Sequence, residues 1–226
     1  MFSAAIFDMD GLLIDSERTI MNTWLAVARE HGVTLAPADY LQIVGRSFAE
    51  GQRILARLLG SEAAFSVVAG RVRAQLATPT STPKYPLKPG ALALLDALAR
   101  AGIPCAVASS SGRDVIRARL DEVGVLQRFA ALAGGDEVAR GKPDPAVYRL
   151  AAERLAVPAQ ACLAFEDSDF GAHAAARSGA SVITVPDLKT PTPEVIALSF
   201  RILTSLDEAV AHVPTWFAAA PRAGAA

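Results

Sequence analysis

Residues 4–11 read Ala4-Ala5-Ile6-Phe7-Asp8-Met9-Asp10-Gly11. An apolar run of strand length ends in two acidic side chains that bracket Met9, and a glycine follows. Burying an unpaired carboxylate is expensive, so acids at a strand end need a reason. A metal ion or a substrate supplies one. The plainer reading is that both acids cap a turn made with Gly11.

Working outward, apolar runs of strand length recur at 103–108, 129–133 (the weaker one), 162–165, 182–185 and 201–206. Segments with apolar residues at helical spacing lie between them, at 90–101, 113–123, 145–155 and 171–178. Gly102, Gly124 and Gly179 each follow one of these segments, where a left-handed helix terminus favours glycine. Strands alternating with helices predict an α/β fold: a Rossmann-like parallel sheet with helices on both faces.

One stretch departs from this pattern. From Ser16 to about Leu76 the periodicity is helical, and no run reads as a strand. Trp24, Leu25, Ala28 and His31 mark one apolar face; Ile54, Leu55, Leu58 and Leu59 mark another. Prolines at 79, 83, 86 and 89 then stiffen a hinge or linker. The expected organisation is an α/β core from residues 1–15 and 85–226, with an inserted all-helical domain over 16–84 that includes the linker.

The 226-residue chain carries 22 basic and 23 acidic side chains, so no basic excess marks a general nucleic-acid or anionic-membrane binder. No run approaches the roughly 18 apolar residues of a membrane-spanning helix. Residues 1–5 lack the basic and apolar regions of a signal peptide, which makes the cytoplasm the expected compartment. Cys105 and Cys162 sit in apolar runs and read as buried hydrophobes rather than a disulfide or a zinc site.

Three further motifs fall at predicted strand ends or in the loops beyond them. Ser109-Ser110-Ser111-Gly112 follows a strand and opens a helix. Its hydroxyls and backbone N–H groups suit a phosphate oxygen, although a serine helix cap is the simpler reading. In Gly141-Lys142-Pro143-Asp144-Pro145, Asp144 is the expected helix cap and Pro145 the first helical residue. Lys142 then supplies a positive charge over the sheet edge. Glu166-Asp167-Ser168-Asp169 closes another strand with three acids, of which Asp169 is the expected cap of the next helix. In open α/β sheets ligands bind outside the carboxyl ends of the strands. Carboxylates without a His or Cys neighbour suit a hard cation, Mg2+ above others.

In this order, Asp8-Met9-Asp10-Gly11, Ser109-Ser110-Ser111, Gly141-Lys142-Pro143-Asp144-Pro145 and Phe165-Glu166-Asp167-Ser168 resemble the haloacid dehalogenase superfamily. More narrowly they resemble the helical-cap subgroup of sugar-phosphate phosphatases and β-phosphoglucomutases. The resemblance implies a Mg2+-dependent phosphatase acting on a small phosphorylated metabolite such as a sugar phosphate. Asp8 matches the family's nucleophile and Asp10 its general acid/base, whose backbone carbonyl also meets the metal. Ser109, with Ser110 beside it, and Lys142 match the phosphate-holding groups. Asp8, Asp10, Glu166 and Asp167 match the metal set. A β-phosphoglucomutase is the alternative, but Ile20 stands where that subgroup has a histidine and Phe48 where it has an arginine. A dehalogenase would lack the second aspartate. A phosphonate hydrolase needs a lysine in the insert, and 16–76 contains none. Arg46, in the turn Gly45-Arg46-Ser47, is the expected specificity residue of the insert.

Overall fold

The computed structural model describes residues 1–44, 48–78 and 83–217, without the side chains of Phe48 and Ala49. Arg46 and residues 79–82 of the proline-rich stretch lie outside the described residues. The chain divides into two compact units: residues 1–14 with the chain from Pro86 onward, and Asp15–Tyr85.

The first unit holds six parallel strands among the described residues: β1 (Ala4–Phe7), β2 (Cys105–Ala108), β3 (Ala131–Ala133), β4 (Cys162–Glu166), β5 (Ser181–Thr184) and β6 (Arg201–Ile202). Their order across the sheet is β3-β2-β1-β4-β5-β6. The chain winds outward from β1 on one side and from β4 on the other, so the topological switch point lies between these two central strands. Phe7 pairs in register with both Val107 and Phe165. This brings the carboxyl ends of β1, β2 and β4 side by side.

All four residues of β1 are fully buried, as expected of a parallel strand covered on both faces. The helices of the second unit are α1 (Ser16–Glu30), α2 (Pro37–Leu41), α3 (Phe48–Leu58) and α4 (Glu62–Ala77). Those of the first begin with α5 (Ala91–Arg100), α6 (Arg113–Glu122), α7 (Ala146–Arg154) and α8 (Asp169–Ser178). Ala4 and Ile6 join one apolar cluster with Val147, Tyr148 and Ala151 of α7 and with Ala172 and Ala175 of α8. Phe7 points to the other face, where its ring stacks on Phe165 at 4.8 Å and meets Phe129 edge-on at 6.1 Å. Cys105 and Cys162 are free and buried.

The second unit is helical throughout its described residues and has its own apolar core. Val27 and Ala28 of α1, Leu55 of α3 and Phe65, Val68 and Val72 of α4 form it, with Leu35 from the loop. Trp24 stacks on Phe65 at 5.9 Å. His31 does not share this core. It is exposed, and its ring Nδ1 lies 3.1 Å from the Val27 carbonyl at the end of α1.

Several boundaries differ from expectation, each for a local reason. β2 begins at Cys105, and β3 at Ala131 after a short turn over Leu126–Arg128. β4 runs one residue further than expected and takes in Glu166, because hydrogen bonds replace water around that carboxylate. The run at 201–206 breaks after Ile202, and Leu206 opens another helix. α7 is capped by Pro145 rather than Asp144, although Asp144 Oδ1 accepts a bond from the Ala146 N–H at 3.1 Å. α8 is capped by Ser168, whose Oγ accepts from the Gly171 N–H at 3.1 Å. Asp169 instead starts the helix and accepts from the Thr192 N–H at 3.3 Å.

Candidate active site

Asp8 follows β1 directly. Its N–H donates to the Phe165 carbonyl at 3.0 Å, extending the β1–β4 pairing by one step. Asp8 as a residue is 6 % exposed, and Lys142 Nζ lies 2.5 Å from its Oδ1. The same Nζ lies 2.5 Å from Glu166 Oε1 and 5.0 Å from the centre of the Tyr148 ring. Burial alone would lower the Lys142 pKa, but the attraction of Asp8 and Glu166 outweighs it and moves it upward. The ammonium group therefore stays charged across the physiological range.

Glu166 is fully buried, and both its oxygens are engaged. Oε1 accepts from Tyr148 OH at 2.6 Å as well as from Lys142. Oε2 accepts from the N–H groups of Asp167 and Ser168 at 3.1 and 3.3 Å, and from Ser168 Oγ at 3.1 Å. Gly171, in the first turn of α8, makes room for this carboxylate. A Cβ there would overlap all three atoms of the Glu166 carboxyl group. Gly11 has a similar duty: its φ of +88° closes the loop after Asp10, and a Cβ would collide with the Asp167 carboxylate.

Asp8, Glu166 and Asp167 each offer one oxygen, and these lie within 4.8 Å of one another. Burial pushes the Asp8 carboxyl well above the usual carboxylate range; Lys142 opposes that shift and Glu166 reinforces it. Asp167 moves the same way, from burial first and then from the charges of Asp8 and Glu166. Ionised together, the three acids would set three negative charges against the single charge of Lys142. An all-oxygen, anionic donor set of this kind fits a hard divalent cation. Asp187, 2 % exposed and paired at 2.5 Å with Lys88, adds a further acid beside Asp167.

Ser109 follows β2, is 1 % exposed, and accepts from the Ser111 N–H at 3.0 Å. It is not the cap of α6. Gly112 occupies that position, and Asp136 Oδ1 accepts from the Arg113 N–H at 3.0 Å. Ser110 is exposed. Ser111 Oγ donates to Asp10 Oδ2 at 3.0 Å, and Arg119 pairs with Asp10 Oδ1.

The structure thus gathers Asp8, Lys142, Glu166 and Asp167 into one cluster and places Asp10 against the loop that carries Ser109. Sequence reading missed Tyr148, Asp187 and Arg119 as neighbours of these groups; Ser111 and Ser168 lay within its motifs but were given no role of their own. Tyr148 reads as an apolar position of its helix. Arg119 meets a residue 109 positions away, a distance over which no spacing rule operates.

Comparison with known proteins fits this arrangement. The chain is 33% identical over 211 residues to validoxylamine A 7'-phosphate phosphatase of Streptomyces hygroscopicus subsp. limoneus, covering 92% of this chain and 96% of that protein. It is 32% identical over 206 residues to hexitol phosphatase A of Escherichia coli K12, covering 90% and 91%. A solved HAD family hydrolase from Deinococcus radiodurans R1, with bound phosphate and sodium, superposes with a TM-score of 0.79 at 27% identity, covering 97% of this chain and 99% of that one. The family model described as haloacid dehalogenase-like hydrolase matches residues 2–179, and the chain belongs to that family.

Proposed function

We propose that the protein is a Mg2+-dependent phosphatase that hydrolyses a small phosphorylated metabolite, a sugar or polyol phosphate, through an aspartyl-phosphate. The observation that carries this reading is the pairing of Asp8 with Lys142 at 2.5 Å in a cluster with buried Glu166 and half-buried Asp167. A carboxylate nucleophile needs a fixed cation beside it to meet a negatively charged phosphoryl group. Both named relatives are phosphatases, one of a hexitol phosphate and one of a 7'-phosphate.

In the first step an Asp8 oxygen forms a bond to phosphorus while the ester P–O bond breaks. Asp10 gives a proton to the departing oxygen. In the second step water attacks the phosphorus and yields a proton to Asp10. The Asp8–phosphate bond breaks, inorganic phosphate leaves, and both carboxyl groups return to their starting states. Lys142 and the hydroxyl of Ser109 hold phosphoryl oxygens, and the neighbouring Ser110 offers its backbone N–H. When bound, Mg2+ would shield the nucleophilic carboxylate and the phosphoryl group from mutual repulsion. Asp8 and Asp167 would hold it directly together with the Asp10 backbone carbonyl. Glu166, whose oxygens already accept from Lys142, Tyr148 and Ser168, would fix the lysine and complete the negative charge. The helical unit would select the substrate, with Arg46 as its recognition residue.

The test is phosphate release from a panel of sugar, polyol, nucleotide and small organic phosphates, with Mg2+ and with excess chelator. Free inorganic phosphate, lost with chelator and restored by Mg2+ but not by Ca2+, supports the reading. Movement of phosphate between positions of one sugar, without release, would replace it with a mutase.

A further inference from the structure

Asp10 can pass protons in both steps only if its carboxyl group is held in place, because an error near 1 Å in such a group is costly. Its own loop fixes the backbone: Gly11 N–H donates to the Ile14 carbonyl at 2.9 Å, and Leu13 N–H to the Met9 carbonyl at 3.0 Å. The side chain is gripped from another element. Arg119 pairs with Oδ1 and Ser111 Oγ donates to Oδ2 at 3.0 Å. Donors on both oxygens fix both side-chain torsions of an aspartate.

The two donors rest on different supports. Ser111 belongs to the loop after β2, where its N–H also donates to Ser109 Oγ at 3.0 Å. Arg119 projects from α6, which is anchored by the fully buried Ile116 and Leu120 and capped at Arg113 by Asp136. A continuous line of contacts therefore runs from α6 through Arg119, Asp10 and Ser111 to the Ser109 hydroxyl. The Arg119 and Asp10 side chains are 22% and 23% exposed. They lie deeper than a fully solvated surface pair, whose attraction is weakened by water.

We infer that Arg119 is a positioning residue for the proton-transfer group: it holds the Asp10 carboxyl where the leaving oxygen of the substrate is protonated. This rests on the phosphatase reading above. The planar guanidinium suits the duty, because its donors leave in fixed directions.

The experiment compares kcat/KM for wild type, Arg119→Ala and Arg119→Lys on two kinds of ester. Alkyl phosphates leave as strongly basic oxygens and need a proton; nitrophenyl phosphate leaves without one. In Arg119→Ala the alkyl esters should slow by about tenfold to a hundredfold, within the usual scale of general acid catalysis. Nitrophenyl phosphate should stay within about threefold, so the dependence on the leaving group steepens. Arg119→Lys and added guanidinium ion should each restore part of the alkyl rate. Equal loss on both ester types, no loss, or faster alkyl hydrolysis would overturn the inference. Should Arg119→Ala fail to fold, Arg119→Gln takes its place in the same comparison.

A crystal structure of the same variant separates the two claims. Asp10 should leave its present rotamer or spread over several, and an unchanged rotamer would overturn the positioning role. If the wild-type protein releases phosphate from no ester, the phosphatase reading fails, and the rotamer result still decides whether Arg119 holds Asp10.

Discussion

The two units handle charge in opposite ways. The α/β unit buries Asp8 and Glu166 together with the Lys142 side chain. Among the described residues of the helical unit, the buried residues with polar side-chain groups are Ser16, Thr23, Tyr40 and Tyr85. Of its ion pairs, Arg71 with Glu30 is more than half exposed on both sides, and Arg18 with Asp15 is 48% and 26% exposed. Burying charge is costly unless it is paired and hydrogen-bonded. Among its described residues the α/β unit bears that cost at the carboxyl edge of its sheet, where hydrogen bonds and a lysine offset it. The helical unit has an ordinary apolar core.

The contrast is broken most severely at Asp8. Asp8→Asn keeps the shape and removes the attacking charge. Turnover should fall by several orders of magnitude while the melting temperature stays within a few degrees of wild type. Retained activity would remove the covalent step, and unfolding would mean that the buried cluster is structural rather than chemical.

Asp167→Ala should act next most strongly, through the metal. The Mg2+ concentration for half-maximal activity should rise sharply, and saturating Mg2+ should recover part of the rate. Glu166→Ala should shift the metal requirement equally or less. A metal requirement unchanged in Asp167→Ala would place the cation elsewhere.

Arg46→Ala sharpens the comparison from the helical side. It should raise KM for the preferred sugar phosphate or reorder the substrate panel, with small aryl phosphates changed by only a few-fold. An unchanged profile, or an equal loss on every substrate, would exclude Arg46 from recognition.

The smallest effect lies outside the site, at Glu137. The Arg154 side chain at 2.7 Å, helped by the Gly134 N–H, holds its pKa at about 2, below the ordinary 4.5. A depressed acid stabilises the folded state above its unfolded value and loses that contribution as pH falls through the folded one. The difference in unfolding free energy between wild type and Glu137→Gln should be full near neutral pH, amount to no more than about 1 kcal/mol, and close between pH 4.5 and about 2. A gap that persists at the acidic end would assign the effect to packing.

Strand and helix placement was legible because local periodicity reports burial. Ala4–Phe7 reads as a strand from its apolar run alone, and β1 has the same bounds. Reading failed where tertiary contacts overrode local preference. Glu166 looked like a residue beyond its strand, yet Tyr148, Lys142 and Ser168 supply enough partners to keep it inside. His31 looked apolar by spacing and proved exposed.

By itself the sequence determined the α/β alternation, the helical insert, and the acids, serines and lysine that fall at strand ends. These follow from chain-local physics, since side-chain periodicity and turn residues act over a few positions. Only the tertiary structure decided which carboxylates share a cluster, that Glu166 is saturated by hydrogen bonds, and that Arg119 and Ser111 grip Asp10. Among the bonds that join different elements there, Tyr148 to Glu166 spans 18 positions and Lys142 to Asp8 spans 134. Contacts at such separations exist only after the sheet has assembled and set its strand ends side by side.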